Sequence, residues 1–353
     1  MLPNFFIVGA PKAGTTSLYD YFRAHPEIYM SPVKGPRFFC YTRQADPWSY
    51  RFRTLEDYQA LFDGVTAETA VGEATALYFE YPATAGRIAE LVPDARIIAV
   101  LREPVQRAFS IYHMNLRDRG TYAGQGFLEA LEQDGKLRKL YFDGLKPFFE
   151  RFPCENIKVI LFDELATDPL ATVQALYGFL GVRTDFVPDL AVSNPGGVPK
   201  NRLLHKILVD PRLRAFSQKY VPEPIVAAAK RIRSRNLEKH RMTEAERDGA
   251  YRFFHEDLLR TQELIGIDLS RWIRAQDTGA RPAEQAPPAR RRPPRFRASA
   301  TGPAQSEAKR PAIPISRPGG SSARVPSCRI RVAIAMPSRR WWITARPSVW
   351  TIR

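Results

Sequence analysis

Gly9-Ala10-Pro11-Lys12-Ala13-Gly14-Thr15-Thr16 lies between an apolar run, Asn4 to Val8, and a helical pattern from Thr15 to Ala24 that puts Leu18, Tyr21 and Phe22 on one face. A strand, a glycine-containing turn and a helix start, in that order, aim backbone N–H groups at one point, and the positive end of the helix dipole adds to them. The chemistry this serves is anion binding, phosphate above all. The loop that holds a magnesium triphosphate ends Gly-Lys-Ser/Thr. Here Thr15 follows Gly14 directly and the only lysine, Lys12, lies inside the loop, which weakens a triphosphate reading. A strand-to-helix turn with no ligand is the bland alternative; strand, loop and helix in register argue against it.

A second cluster sharpens this. Arg102-Glu103-Pro104-Val105-Gln106-Arg107-Ala108-Phe109-Ser110 follows the apolar run Arg96 to Leu101. Arg102 ends that strand and Ser110 comes two helical turns later, so a guanidinium and a hydroxyl are placed to reach one phosphate. Taken alone, Arg102 reads as an ion-pair residue and Ser110 as a helix-surface residue. Taken with the first loop, they suggest a ligand with phosphates at two ends.

Strands and helices must alternate to position these groups. Asn4 to Val8, Arg96 to Leu101 and Ile157 to Phe162 read as buried strands, and Val71 as the close of another. Thr15 to Ala24, Glu103 to Leu116 with Pro104 in its first turn, Pro169 to Leu180 ending at Gly181, and Thr243 to Ile265 read as helices. That alternation predicts an α/β class: a P-loop-like three-layer fold with a central parallel sheet flanked by helices.

The chain has 353 residues and a formal net charge of +16, from 53 Lys and Arg against 37 Asp and Glu. From Gln276 onward there are 16 basic and 3 acidic residues, so residues 1–275 are close to neutral. The basic excess belongs to a tail and does not make the folded part a nucleic-acid-binding enzyme. Residues 1–275 read as one domain. Residues 276–353, rich in Pro and Arg, are expected to be disordered, because such a composition buries too little apolar surface to offset chain ordering. Cys40, Cys154 and Cys328 are too scattered for a disulfide framework or a zinc site. With no leader-like start and no apolar run near the ~20 residues that span a bilayer, the expectation is a cytoplasmic protein without a transmembrane segment. No specific nucleic acid is expected as a partner, and oligomeric state is not readable.

From about Pro3 to Trp272 the chain resembles sulfotransferases that use 3′-phosphoadenosine 5′-phosphosulfate (PAPS), of the bacterial type related to the heparan sulfate sulfotransferase domains. Pro-Lys-Ala-Gly-Thr-Thr-Ser-Leu resembles their 5′-phosphosulfate loop and Leu-Arg-Glu-Pro-Val-Gln-Arg-Ala-Phe-Ser their 3′-phosphate motif. Ser-Pro-Val-Lys-Gly-Pro-Arg-Phe-Phe, Val-Gly-Glu-Ala-Thr and the closing Glu-Leu-Ile-Gly-Ile-Asp-Leu-Ser-Arg-Trp extend the match. The resemblance implies that Lys12, Ala13, Gly14, Thr15, Thr16 and Ser17 hold the 5′-phosphosulfate, Lys12 neutralising charge on the oxygen that bridges to the departing sulfonate. It implies that Arg102 and Ser110 take the 3′-phosphate, that the segment around Gly197, Lys200 and Arg202 closes over the nucleotide, and that no metal is required. The implied activity is transfer of a sulfonate to a hydroxyl or amine of an acceptor such as a carbohydrate or small metabolite.

One departure matters. Relatives typically read Lys-Glu-Pro where this chain reads Lys34-Gly35-Pro36, and that glutamate is their usual general base. Glu73 is the nearest substitute; it reads equally as a structural carboxylate paired with Lys34 or Arg37. Lys34 reads as a contact to the substrate charge or the leaving group, with a solvated surface lysine as the alternative. The missing base keeps a catalytically impaired nucleotide-binding protein in play. A P-loop nucleotide kinase is the other alternative, and would need a lysine beside Gly14. Phe38, Phe39, Tyr78 and Phe79 are either acceptor-cleft or core residues, and His25 and His113 read as ordinary structural histidines.

Overall fold

The computed structural model describes residues 1–40, 52–190 and 241–273 in full, with the backbone of two short strands beyond them. In chain order come β1 (Phe5–Gly9), α1 (Thr15–Arg23), β2 (Ile28–Met30), α2 (Leu55–Gln59), β3 (Ala70–Ala74) and α3 (Ala83–Leu91). Then follow β4 (Arg96–Leu101), α4 (Pro104–Arg119), α5 (Phe127–Gln133), α6 (Tyr141–Arg151), β5 (Ile157–Leu161), α7 (Phe162–Thr167) and α8 (Pro169–Leu180). Two further helices, α9 (Glu244–Tyr251) and α10 (His255–Ile265), end the described part. The segments Val198–Pro199 and Leu237–Glu238 pair antiparallel. Gly197, Lys200, Arg202 and the tail 276–353 lie outside the described residues.

The five main strands form one sheet in the order β2-β3-β1-β4-β5, and every pairing is parallel. Helices flank it to give three layers. All five residues of β1 are buried, as are all but the first of β4, since helices cover both faces of a parallel sheet and neither face can be polar. Fully burying a Phe, Ile or Val side chain contributes roughly 1.5–3 kcal/mol. The contiguous run Phe5, Phe6, Ile7 and Val8 is therefore the natural centre of the core.

Helix ends are written in the sequence. Glu103 caps α4, its carboxylate accepting from the N–H groups of Val105 at 3.1 Å and Gln106 at 2.7 Å, with Pro104 as the first helical residue. Asp168 caps α8 through Ala171 N–H at 3.0 Å, again with Pro at the first position, and Gly181 at φ 74° ends that helix. The expected single helix from Thr243 to Ile265 is a correction: the chain breaks at Arg252, Phe253 and Phe254. Ala250 and Phe254 bury against Val105, Ala108, Phe127 and Leu131 in a small second core, whereas Leu258 and Ile265 bury in the main one. One straight helix cannot serve both.

The strand order fixes where a ligand fits. After β1 the chain travels to β2 at one edge of the sheet, and after β4 it goes to β5 at the other. The loops leaving β1 and β4 therefore diverge and open a crevice at the carboxyl ends of adjacent strands, the usual ligand position in open α/β sheets.

Candidate functional site

The first wall of that crevice is the turn from Ala10 to Gly14. Ala10 N–H donates to Val100 O at 2.8 Å and Ala13 N–H to Ala10 O at 3.2 Å, which curls the loop tightly above β1 and β4. The curl needs left-handed backbone twice, at Lys12 (φ 69°) and Gly14 (φ 85°). A side chain in that conformation costs about 1–2 kcal/mol, so Lys12 is held there by its surroundings. No side chain caps α1 and no acidic residue stands in its first turn. The opening N–H groups of Thr15, Thr16 and Ser17 thus retain donor capacity, with Thr15 buried and Thr16 and Ser17 half-buried.

The second wall is Arg102, at the end of β4. Its Nη1 donates to Lys12 O at 3.1 Å, and its guanidinium lies 4.8 Å over the Phe162 ring. Nη2 approaches Gln106 Oε1 at 3.5 Å, while Nε is buried without a hydrogen-bond partner. Ser110 sits four residues beyond Gln106 and is half-buried, so the two share one face of α4. The structure therefore brings Lys12, Gly14, Thr15, Thr16, Ser17 and Arg102 to one crevice, with Ser110 on the helix beside it. It does not reach Lys200 and Arg202, which lie outside the described residues.

The electrostatics favour an anion. Burial lowers the Lys12 pKa, Arg117 and Arg102 push it further down, and Asp118 pulls the other way. Burial also lowers Arg102. Two arginines thus act on Lys12, with Asp118, ion-paired to Arg117 at 2.6 Å, as the opposing charge. Like charges out of bulk water are unfavourable until an anion arrives. A doubly phosphorylated nucleotide fits these groups: the uncapped start of α1 and the Arg102 guanidinium at the neighbouring strand end both offer donors to it. Arg117, fifteen residues after Arg102 with no local motif around it, is a cation that sequence spacing did not single out. Among the described residues no group of three or more His, Cys, Asp or Glu is arranged to hold a metal ion, and no helix is long and apolar enough to cross a membrane.

The third wall carries Lys34 and Gly35. Lys34 is exposed by surface area; protein atoms around its ammonium lower its pKa and Asp20 opposes this, an effect that solvent keeps small. Gly35 has φ 76°, and the atom nearest a Cβ built on it would be Ala74 O at 4.0 Å. Arg37, two residues on, is also left-handed at φ 62°.

Glu73 is a correction. Its side chain has no exposed surface and pairs with neither Lys34 nor Arg37. It accepts instead from three hydroxyls: Tyr58 at 2.8 Å, Tyr78 at 2.7 Å and Thr75 at 2.8 Å. Burial raises its pKa to about 7, the three hydrogen bonds holding it from going higher. Two of those hydroxyls then accept from the loop that carries Lys34 and Gly35, Thr75 Oγ1 from Arg37 N–H and Tyr78 OH from Phe39 N–H, both at 3.3 Å. A carboxylate so enclosed presents no face to a substrate; geometrically it is the anchor of the loop that carries Gly35. Of the four aromatic residues considered for a cleft, Phe39, Tyr78 and Phe79 are core, and Phe38 is half-buried and stacked on Tyr58 at 4.4 Å. His25 is buried too, with ring nitrogens bonded to Arg183 O and Glu27 N–H at 3.0 Å each.

Residues 78–186 match the sulfotransferase family. A sulfotransferase from Alicyclobacillus acidocaldarius, known as a crystal structure, is 34% identical and superposes with a TM-score of 0.59, covering 77% of this chain and 99% of that one. Human carbohydrate sulfotransferase 15 is 34% identical over 151 residues, 31% of this chain and 27% of its own length. Mouse heparan sulfate glucosamine 3-O-sulfotransferase 3B1 is 27% identical over 191 residues, 52% of this chain and 47% of its own. The chain thus spans about a quarter to a half of the curated relatives it matches. With a parallel sheet whose β1 and β4 loops meet at Lys12 and Arg102, and with a homologue matched over nearly its whole length, this chain belongs to the PAPS-dependent sulfotransferase family.

Proposed function

We propose that this chain transfers a sulfonate group from PAPS to a hydroxyl or amine of a carbohydrate or small-metabolite acceptor. The observation that carries the reading is the Arg102 Nη1 to Lys12 O hydrogen bond of 3.1 Å, which joins a 5′-phosphate turn to a 3′-phosphate arginine at adjacent strand ends. The carbohydrate sulfotransferases among the relatives support the acceptor class.

In this reading, Lys12 and the first amides of α1 hold the 5′-phosphosulfate, and Arg102 with Ser110 holds the 3′-phosphate. PAPS supplies an activated sulfonate on a phosphate leaving group. The protein's contribution is preorganised charge: Lys12 and the α1 N–H groups are fixed in place before reaction and face the oxygens on which negative charge grows. Lys34 stands at the lip as a contact to acceptor or leaving-group charge. Neither Gly35 nor Glu73 presents a base, so the reading assigns the rate to orientation and electrostatics, and Glu73 to holding the loop of Lys34 and Gly35.

The test is incubation with ³⁵S-labelled PAPS and a panel of desulfated glycans, amino sugars and phenols, beside calorimetric titration with adenosine 3′,5′-bisphosphate. Labelled product and saturable heat are expected. Binding without product on any acceptor would leave a nucleotide-binding protein, and no binding would remove the reading altogether.

A further inference from the structure

Arg102 is held from behind by one side chain. The Tyr141 hydroxyl, at the first residue of α6, accepts from Arg102 N–H at 3.2 Å and donates to Arg102 O. A phenol accepts and donates at once, so a single oxygen grips both main-chain groups of the arginine. Tyr141 is fully buried, and no water competes for that oxygen.

Tyr141 is itself held on three sides. Asp257 of α10 caps α6, its carboxylate accepting from Tyr141 N–H at 2.7 Å and Phe142 N–H at 2.9 Å. The Arg107 guanidinium lies 4.7 Å over the Tyr141 ring. Phe79 meets the same ring edge-on at 5.7 Å. Arg107 is fully buried, with Nη2 bonded to Lys139 O, and its charge acts on Asp257 and Glu80 as well as on Tyr141. The result is a continuous chain of contacts from Asp257 through Tyr141 to Arg102 and on to Lys12.

We propose that Tyr141 is a positioning residue for the 3′-phosphate site, setting the height and direction of Arg102 above the crevice, and that Asp257 holds Tyr141 in place for it. This rests on the reading that Arg102 contacts the 3′-phosphate. A group fixed by its neighbours delivers its hydrogen bonds without first being ordered; a loosened one loses part of that advantage.

The experiment compares adenosine 3′,5′-bisphosphate with adenosine 5′-monophosphate, by calorimetric titration of the full chain and its variants. Tyr141→Phe removes one oxygen and keeps the ring. The expected outcome is roughly a 5- to 10-fold loss of bisphosphate affinity with monophosphate affinity within about 2-fold of the parent, matching the loss of one or two hydrogen bonds. Asp257→Asn keeps one acceptor for the two N–H groups and should lower the same ratio by a smaller factor. It supplies the answer if Tyr141→Phe does not fold. Equal losses for both nucleotides would mean a structural role only and overturn the proposal, as would an unchanged ratio. Arg102→Ala separates the two levels. If it collapses the ratio while both other variants leave it intact, the positioning role falls alone. If it leaves the ratio intact, the assignment of Arg102 falls and the proposal with it.

Discussion

Arg102 and Lys12, ninety positions apart, share a hydrogen bond of 3.1 Å because β1 and β4 are neighbours in the sheet, Ile7 opposite Ile98 and Gly9 opposite Ala99. The two cations face one crevice yet serve different ends of the proposed ligand, so their loss should read out differently. Arg102→Ala is expected to lower the preference for adenosine 3′,5′-bisphosphate over adenosine 5′-monophosphate by about 10- to 100-fold, the value of charge-assisted hydrogen bonds. Lys12→Ala should instead lower kcat by ~10²–10³-fold, as expected for one preorganised donor to developing charge. Alanine makes the same left-handed demand on position 12, so the change isolates the ammonium. Steady-state kinetics with labelled PAPS and paired nucleotide titrations check both.

The buried Glu73 gives a pH signature. Its pKa in the fold is raised to about 7 by burial, above the ordinary carboxylate value of the unfolded chain. The folded state therefore binds this proton more tightly than the unfolded one. The corresponding stability is fully present below about pH 4.5 and is lost as pH rises through 7, a contribution on the order of 3 kcal/mol. Glu73→Gln removes the titration. Thermal melts from pH 5 to 8 should show the parent losing ground to the variant as pH rises, and parallel curves would mean that Glu73 keeps an ordinary pKa.

Gly35 stands where the resemblance to relatives would place a general base. A Cβ there meets nothing closer than Ala74 O at 4.0 Å, so a side chain can begin there without a clash, but at φ 76° it costs about 1–2 kcal/mol of backbone strain. Gly35→Glu is expected to raise kcat by up to ~10²–10⁴-fold, the usual value of a placed general base, with little change in bisphosphate affinity and a slightly lower Tm. An unchanged kcat in a folded variant would show that the acceptor proton needs no side-chain base here.

Gly9 ends β1 under the phosphate turn, and a Cβ on it would fall 2.5 Å from Phe79 Cβ. Phe79 is buried and packed against the Tyr141 ring, so it cannot step aside. Overpacking of this kind costs about 1–3 kcal/mol. Gly9→Ala should lower urea-unfolding stability by that amount, and nucleotide affinity with it, whereas Gly86→Ala, where nothing lies within 4 Å, should do neither.

Much of the scaffold was legible because local chemistry and tertiary need agreed. The strand Arg96–Leu101 and the helix Pro169–Leu180 were readable to the residue, the first from its unbroken apolar run, the second from its helical pattern and the Gly181 that ends it. β2 was not, since three residues between Pro26 and Pro32 carry no usable period. The break in the last helical segment was hidden because Ala250, Phe254 and Leu258 keep a helical spacing across it while burying in different cores. In the site, Lys12 and Arg102 announced themselves through motifs at strand ends. Tyr141 and Asp257 did not: their contacts bridge 39 and 116 positions, and neither sits in a pattern with chemistry of its own. Glu73 was visible as a carboxylate near the crevice, but its enclosure by Tyr58, Thr75 and Tyr78 depends on packing that no spacing encodes.

The neighbouring seats of β1 and β4 make nucleotide retention a quality check on the folded chain. On the proposed assignment of Lys12 and Arg102, a resin bearing immobilised adenosine 3′,5′-bisphosphate should hold molecules in which Phe5–Gly9 has been joined, in register, by a strand synthesised some ninety residues later. Material that slipped by one residue or swapped that strand with another copy in the wrong alignment would wash through, so column yield becomes a direct count of correctly paired protein.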